Sequence, residues 1–299
     1  MTGAMLAIAL TLTSPSPCGT VLLPAAGKTV TALCRDHKMR VFSLPDGKLL
    51  QTIDGSKIER LALSTISDDG RWVMLSDYRG DVFVVDTTTG ESQVTQHVDH
   101  YLTAAAFSHD GRLLAAASGA AAVRIIDVVS KRVVRELELT TFTGAIAFSR
   151  NDKWIAAAGV NDVRIYDVDG KRVSRNADFL LSPLALDFSA DGKRVVAGGA
   201  DKVVLLIDAV TGKTLRRTTV PDAVMWTGFS PDGKHLAVAT MNAGNLQLPS
   251  PVVFSDIDSP QKKSQWMPPK DVVGGGWTAD GHFIAAIATQ GAVRLQNVR

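Results

Sequence analysis

The feature that most limits what this 299-residue chain can fold into is an internal repeat. An apolar run leads into Phe-Ser-x-Asp-Gly, and a second apolar run rich in Ala follows. The motif stands as Phe107-Ser-His-Asp-Gly111, Phe188-Ser-Ala-Asp-Gly192 and Phe229-Ser-Pro-Asp-Gly233. Variants are Ile66-Ser-Asp-Asp-Gly70, Phe148-Ser-Arg-Asn-Asp152 and Trp277-Thr-Ala-Asp-Gly281, and the weakest copy is Leu23-Pro-Ala-Ala-Gly27. The Gly positions fall at 27, 70, 111, 152, 192, 233 and 281, so the copies recur every 40 to 48 residues. A period of roughly 40 residues is that of a four-stranded propeller blade. Seven copies predict an all-β, seven-bladed β-propeller of four-stranded antiparallel blades.

The motif has a physical reading. Asp-Gly closes a tight hairpin, with Gly taking the positive φ that side chains resist. The aromatic before the turn fills space between blades. The second strand, as in Leu113-Leu-Ala-Ala-Ala117 or Trp154-Ile-Ala-Ala-Ala158, is apolar throughout. Such a run suits a strand buried on both faces, which stacked blades require. A third strand ends in Asp, as in Val82-Phe-Val-Val-Asp86 and Val204-Leu-Leu-Ile-Asp208. A turn and a more polar fourth strand follow.

With these strands in place the chain resembles the WD-repeat family of β-propellers. The Asp of the Trp-Asp pair stands at Asp86, Asp127, Asp167, Asp208 and Asp256, with Ser43 and Asn297 elsewhere. The Trp is replaced at every copy, and the Gly-His pair that often opens such a repeat is absent. Blades lacking that Trp and His are expected to rely more on packing. The resemblance implies a non-catalytic scaffold that binds a protein or peptide on the top face. That face is built from the loops between strands two and three and between successive blades. A propeller enzyme, or an exported propeller binding a small molecule, is the alternative.

The C-terminal repeat has three strands after residue 271, and the apolar stretch 4–13 stands where an outer strand would precede the first hairpin. Blades 1 to 6 are expected over 17–269, with residues 4–13 and 271–299 sharing blade 7 and closing the ring. The competing reading of 4–13 is a cleaved leader, but no Lys or Arg precedes Lys28, so the positive region of a signal peptide is missing. The register of the first hairpin sets Cys18 opposite Cys34. This allows a disulfide, while two packed thiols are the reading favoured in a reducing, cytoplasmic setting.

Chemistry is sparse. Lys plus Arg is 32 and Asp plus Glu is 30, which gives no long-range attraction to nucleic acid or an anionic membrane. No phosphate loop, nucleophile elbow or zinc-protease motif occurs. His97 and His100 lack a third ligand, so no metal and no cofactor are expected. Asp187 is the one ionisable group on the expected channel strands, where it should accept backbone or hydroxyl hydrogen bonds. A single carboxylate supplies no acid–base pair. A monomer is expected.

Two groups of residues are candidates for partner binding. The first surrounds an insertion in blade 6, 241–251: Met241, Asn242, Leu246 and Leu248 within it, with Trp226, Trp266 and Met267 in the flanking loops. Trp anchors interfaces and Met adapts to varied shapes. The second is Arg60, Tyr78, Tyr101 and Phe142 at the top entrances of blades 2 to 4.

Overall fold

The computed structural model describes residues 10–25, 28–58, 60–98, 101–119, 122–138, 142–241, 251–267, 272–278, 280–289 and 292–297. Seven four-stranded antiparallel sheets succeed one another along the chain, and the protein is a seven-bladed β-propeller. Blades 1 to 6 occupy 18–54, 61–97, 102–138, 145–176, 183–219 and 223–266. The remaining sheet takes Val272–Trp277, Phe283–Thr289 and Ala292–Asn297 from one end of the chain and Leu10–Thr13 from the other. Leu10 pairs with Leu295 and Thr13 with Ala292. Among the described residues no helix is long and apolar enough to cross a membrane.

The repeat motif builds a self-contained turn. In blade 2, Ser67 Oγ donates to Asp69 Oδ1 at 2.6 Å, and Arg71 N donates to the same oxygen at 2.9 Å. The Ser67 hydroxyl in turn accepts from Trp72 N at 2.9 Å. Ser108, Ser189 and Ser230 repeat the Ser–Asp bond at 2.7, 2.6 and 2.5 Å. Gly70, Gly111, Gly192 and Gly233 follow with φ between 68° and 77°, a region where a Cβ is strained.

Blade 4 breaks the rule for a reason. Asp152 replaces Gly and holds φ 55°. Its carboxylate accepts His109 N at 2.8 Å and Asp110 N at 2.9 Å from blade 3. The strained residue therefore ties two blades together.

The aspartates ending the third strands cap their own turns. Asp86 accepts from Thr88 N, Asp127 from Ser130 N and Asp208 from Thr211 N, at 2.8, 2.7 and 2.8 Å. These bonds hold the three carboxyls below the usual carboxylate range; at Asp86 they and Arg71 outweigh an opposing effect of burial. The Asp survives here without its usual Trp because its work is local.

An apolar cluster lies between each pair of neighbouring blades, including the last sheet and the first. Strand alternation feeds two clusters from one strand. Val73 and Leu75 face blade 1, while Met74 between them faces blade 3. That double burial is why the second strands read as unbroken apolar runs. Leu12 of the N-terminal strand joins Leu295, Val30 and Phe42 in the cluster between blades 7 and 1.

A candidate protein-binding face

The two ends of the propeller differ in their loops. The Ser-x-Asp-Gly hairpins and the turns after each third strand form the bottom. The top is formed by the other loops, and these carry most of the exposed large apolar side chains that stand outside strands. Tyr78 lies in the loop after Trp72–Asp77, and Tyr101 just before Leu102–Phe107. Phe142 precedes Ala145–Phe148. They are 55%, 49% and 42% exposed.

Three of the sequence candidates meet here. The Arg60 guanidinium sits 5.3 Å from the Tyr78 ring centroid, within reach of a cation–π attraction. Tyr78 and Tyr101 have centroids 5.8 Å apart at an interplanar angle of 51°. The pair spans the junction between blades 2 and 3.

The arc continues onto residues that sequence reasoning missed. Val160 and the pair Leu180–Leu181 are exposed on the top loops of blade 4 and of the blade 4–5 junction, Leu180 at 74%. Both loops are anchored from beneath. Asp162, itself buried, receives Arg164 Nε at 2.9 Å and Arg175 Nε at 2.6 Å, and its carbonyl accepts Gly159 N at 2.8 Å. Leu180 N donates to Asp201 Oδ2 at 3.3 Å. The available signal was Leu180-Leu181 standing outside any strand, just before Pro183.

The blade 6 candidates are placed differently. Trp226 lies within Ala223–Phe229 rather than in a loop, and this is a correction to the sequence reading. The register shifts between Val224 and Trp226, and the indole packs edge-on against Phe283 of blade 7 at 5.7 Å. Its ring also covers Gly228, where an added Cβ would stand 2.7 Å from the indole. Trp266 ends Lys263–Trp266 and packs on the same inter-blade cluster. Met241 and Met267 are exposed. Asn242, Leu246 and Leu248 lie outside the described residues.

Cys18 and Cys34 are register partners, and their sulfurs are joined at 2.06 Å. The structure has a cystine here where two packed thiols were the favoured expectation.

A central channel of about 530 Å³ is lined by the first strands of the blades, with Leu63, Ala104, Ile146, Leu186 and Met225 among its walls. Asp187, on the first strand of blade 5, spends its carboxylate on the backbone. Oδ1 accepts Phe188 N and Oδ2 accepts Phe229 N of blade 6, both at 2.8 Å. Burial pushes its carboxyl up to about 6, against the lowering effect of those bonds.

At the bottom of the molecule, His109 bridges three blades. Its Nδ1 contacts Asp68 Oδ2 at 2.6 Å and its Nε2 lies 3.3 Å from Phe148 O. Burial opposes a charge on the ring, but the Asp68 carboxylate and nearby Asp152 prevail and raise its pKa. His97 Nδ1 is 2.7 Å from Asp81 Oδ1, and His100 lies outside the described residues. Among the described residues no three or more His, Cys, Asp and Glu side chains are grouped to hold a metal.

The fold and these loops define a propeller that presents a loop-built face on rigid blades. The family model described as WD domain, G-beta repeat matches residues 181–208, which covers three strands of blade 5. Together with the repeated four-stranded sheets, that match supports a likeness to the WD-repeat family. Members of this family are generally non-enzymatic scaffolds, and WD40 domains typically bind proteins or peptides. No curated protein matches the chain.

Proposed function

We propose that this propeller is a non-catalytic scaffold whose top face binds a protein or peptide along the arc from Tyr78 through Tyr101 and Phe142 to Leu180. The observation that carries this reading is the run of exposed apolar side chains on neighbouring, anchored loops. Aromatic side chains at such positions bury much area at small entropic cost. Anchoring before binding reduces the ordering that binding must supply. Among the described residues, the blade 6 candidates that stand exposed are Met241 and Met267, while both Trp side chains pack on the inter-blade core. The role of Asp187 supports a scaffold over an enzyme, because one oxygen accepts Phe188 N within blade 5 and the other holds Phe229 N of blade 6. The cystine supports the exported alternative, because disulfides persist in oxidising compartments.

The test is capture from lysate of the source by immobilised protein, comparing wild type with a Tyr101→Ala/Phe142→Ala/Leu180→Ala variant of equal thermal stability. Loss of a wild-type partner from the variant is the expected result. A partner retained by the variant moves the site off this arc.

A further inference from the structure

A cavity of about 250 Å³ opens on the top face between blades 1 and 2. Its walls include Leu33, Met39, Ile58, Leu61 and Leu75. This is smaller than the roughly 300–1,000 Å³ of pockets that enclose small-molecule ligands, but ample for one apolar side chain. Its rim is cationic. Arg35 and Lys38 border it directly, and Lys57 and Arg60 stand on the adjoining loop.

Among the described residues, the nearby acidic groups are engaged: Asp36 by Arg40, and Asp54 by Ser56 with a smaller attraction to Lys38 and Lys57. The Asp36 carboxylate is held by Arg40, with Nη1 at 3.0 Å from Oδ1. Asp54 accepts Ser56 N at 3.0 Å and Ser56 Oγ at 2.9 Å. Among the described residues, none of Arg35, Lys38, Lys57 and Arg60 forms an ion pair. Arg60, next to the cavity-lining Leu61, lies over Tyr78 and links the rim to the aromatic arc.

We infer that this cavity takes one apolar side chain of an acidic peptide, whose carboxylates lie against Arg35, Lys38, Lys57 and Arg60. The inference rests on the peptide-binding reading of the top face and specifies the chemistry of the partner. The apolar walls supply desolvated contact for the anchor. The four cations, of which Lys38 and Lys57 share Asp54, supply register and salt-dependent attraction. A cationic peptide would be repelled by them.

The experiment uses the full, unreduced protein and fluorescein-labelled peptides read by anisotropy. One peptide is acidic with a central Leu (Asp-Glu-Leu-Asp-Glu flanked by Gly-Ser). A second replaces Leu by Ser, and a third replaces every acid by Lys. The expected result is micromolar binding of the first, at least tenfold weaker binding of the second and none of the third. Raising salt should weaken the first. Arg35→Glu with Lys38→Glu should weaken it at least tenfold. Gly19→Met should do the same by filling the cavity, since Gly19 lines it and a Cβ there meets nothing within 4 Å. Absence of binding by the acidic Leu peptide overturns the inference, as does equal binding to the Gly19→Met variant. If the lysate partner is lost from the Tyr101/Phe142/Leu180 variant while the acidic peptide fails to bind, the cavity inference falls and the top-face reading stands. If that partner survives the triple substitution, the reading itself falls.

Discussion

The two faces of the propeller are built from the same blades and solve opposite problems. At the bottom, the Ser-x-Asp-Gly hairpins of blades 2, 3, 5 and 6 hold themselves within five residues: in blade 5, Ser189 Oγ donates to Asp191, and Arg194 N donates back to Ser189 Oγ at 3.0 Å. At the top, the loops share no such common motif, and some are held by distant residues, as Leu180 N is by Asp201. The bottom does expose Val129 and Val210, but each stands singly in its turn. The top gathers Tyr78, Tyr101, Phe142, Val160 and Leu180 on successive loops. The difference teaches that the repeat specifies the scaffold, while the positions free of the repeat specify recognition.

Four substitutions sharpen this contrast, taken from largest effect to smallest. Gly212→Val should destabilise most, by about 3–5 kcal/mol, since strain and overpacking combine. Gly212 holds φ 73° and an added Cβ would lie 2.4 Å from the Arg175 carbonyl oxygen. Denaturant melts measure this, and an unchanged midpoint would remove the packing argument for that turn.

His109→Ala should cost about 1–3 kcal/mol, the loss expected for a partly buried charge-assisted bond. The effect depends on pH. The raised pKa of His109 means its contribution is full below about 6.5, the unfolded value, and fades as pH rises through the folded value. Melts at pH 6 and pH 8 should therefore show the larger cost at pH 6.

Asp187→Asn should act in a lower window. A carboxyl raised to about 6 binds its proton more tightly when folded. Its contribution to stability falls as pH rises from about 3.9, the unfolded value, toward 6. The Asn variant should lose that slope, leaving the acid-side behaviour to carboxyls held low, such as Asp191 and Asp232.

Tyr101→Ala should change stability least, by under about 0.5 kcal/mol, as surface substitutions do, while weakening partner capture. A large loss of stability would make Tyr101 structural and blur the contrast between the faces.

The fold was legible because its signals are local. Ser, Asp and Gly at fixed offsets define the turn without reference to the rest of the chain, and both-face burial writes the second strand as apolar. The opposition of Cys18 and Cys34 followed from hairpin register alone. Their bonding did not, because redox state is not a pattern of side chains. The candidate site was half legible. Tyr101 and Phe142 were legible because each stands six residues before the repeat Phe, Phe107 and Phe148. Trp226 was misplaced because the register shift before it cannot be read from residue spacing. Leu180 escaped notice because it lies in a loop outside the repeat motif.

The most direct test of the account is amide hydrogen exchange on the protein alone and bound to the captured partner. The account predicts slowed exchange at 78–80, 101–103, 159–162 and 180–182, with the hairpins at 69–72, 110–113 and 191–194 unchanged. Protection confined to those hairpins would contradict it and place recognition on the bottom face.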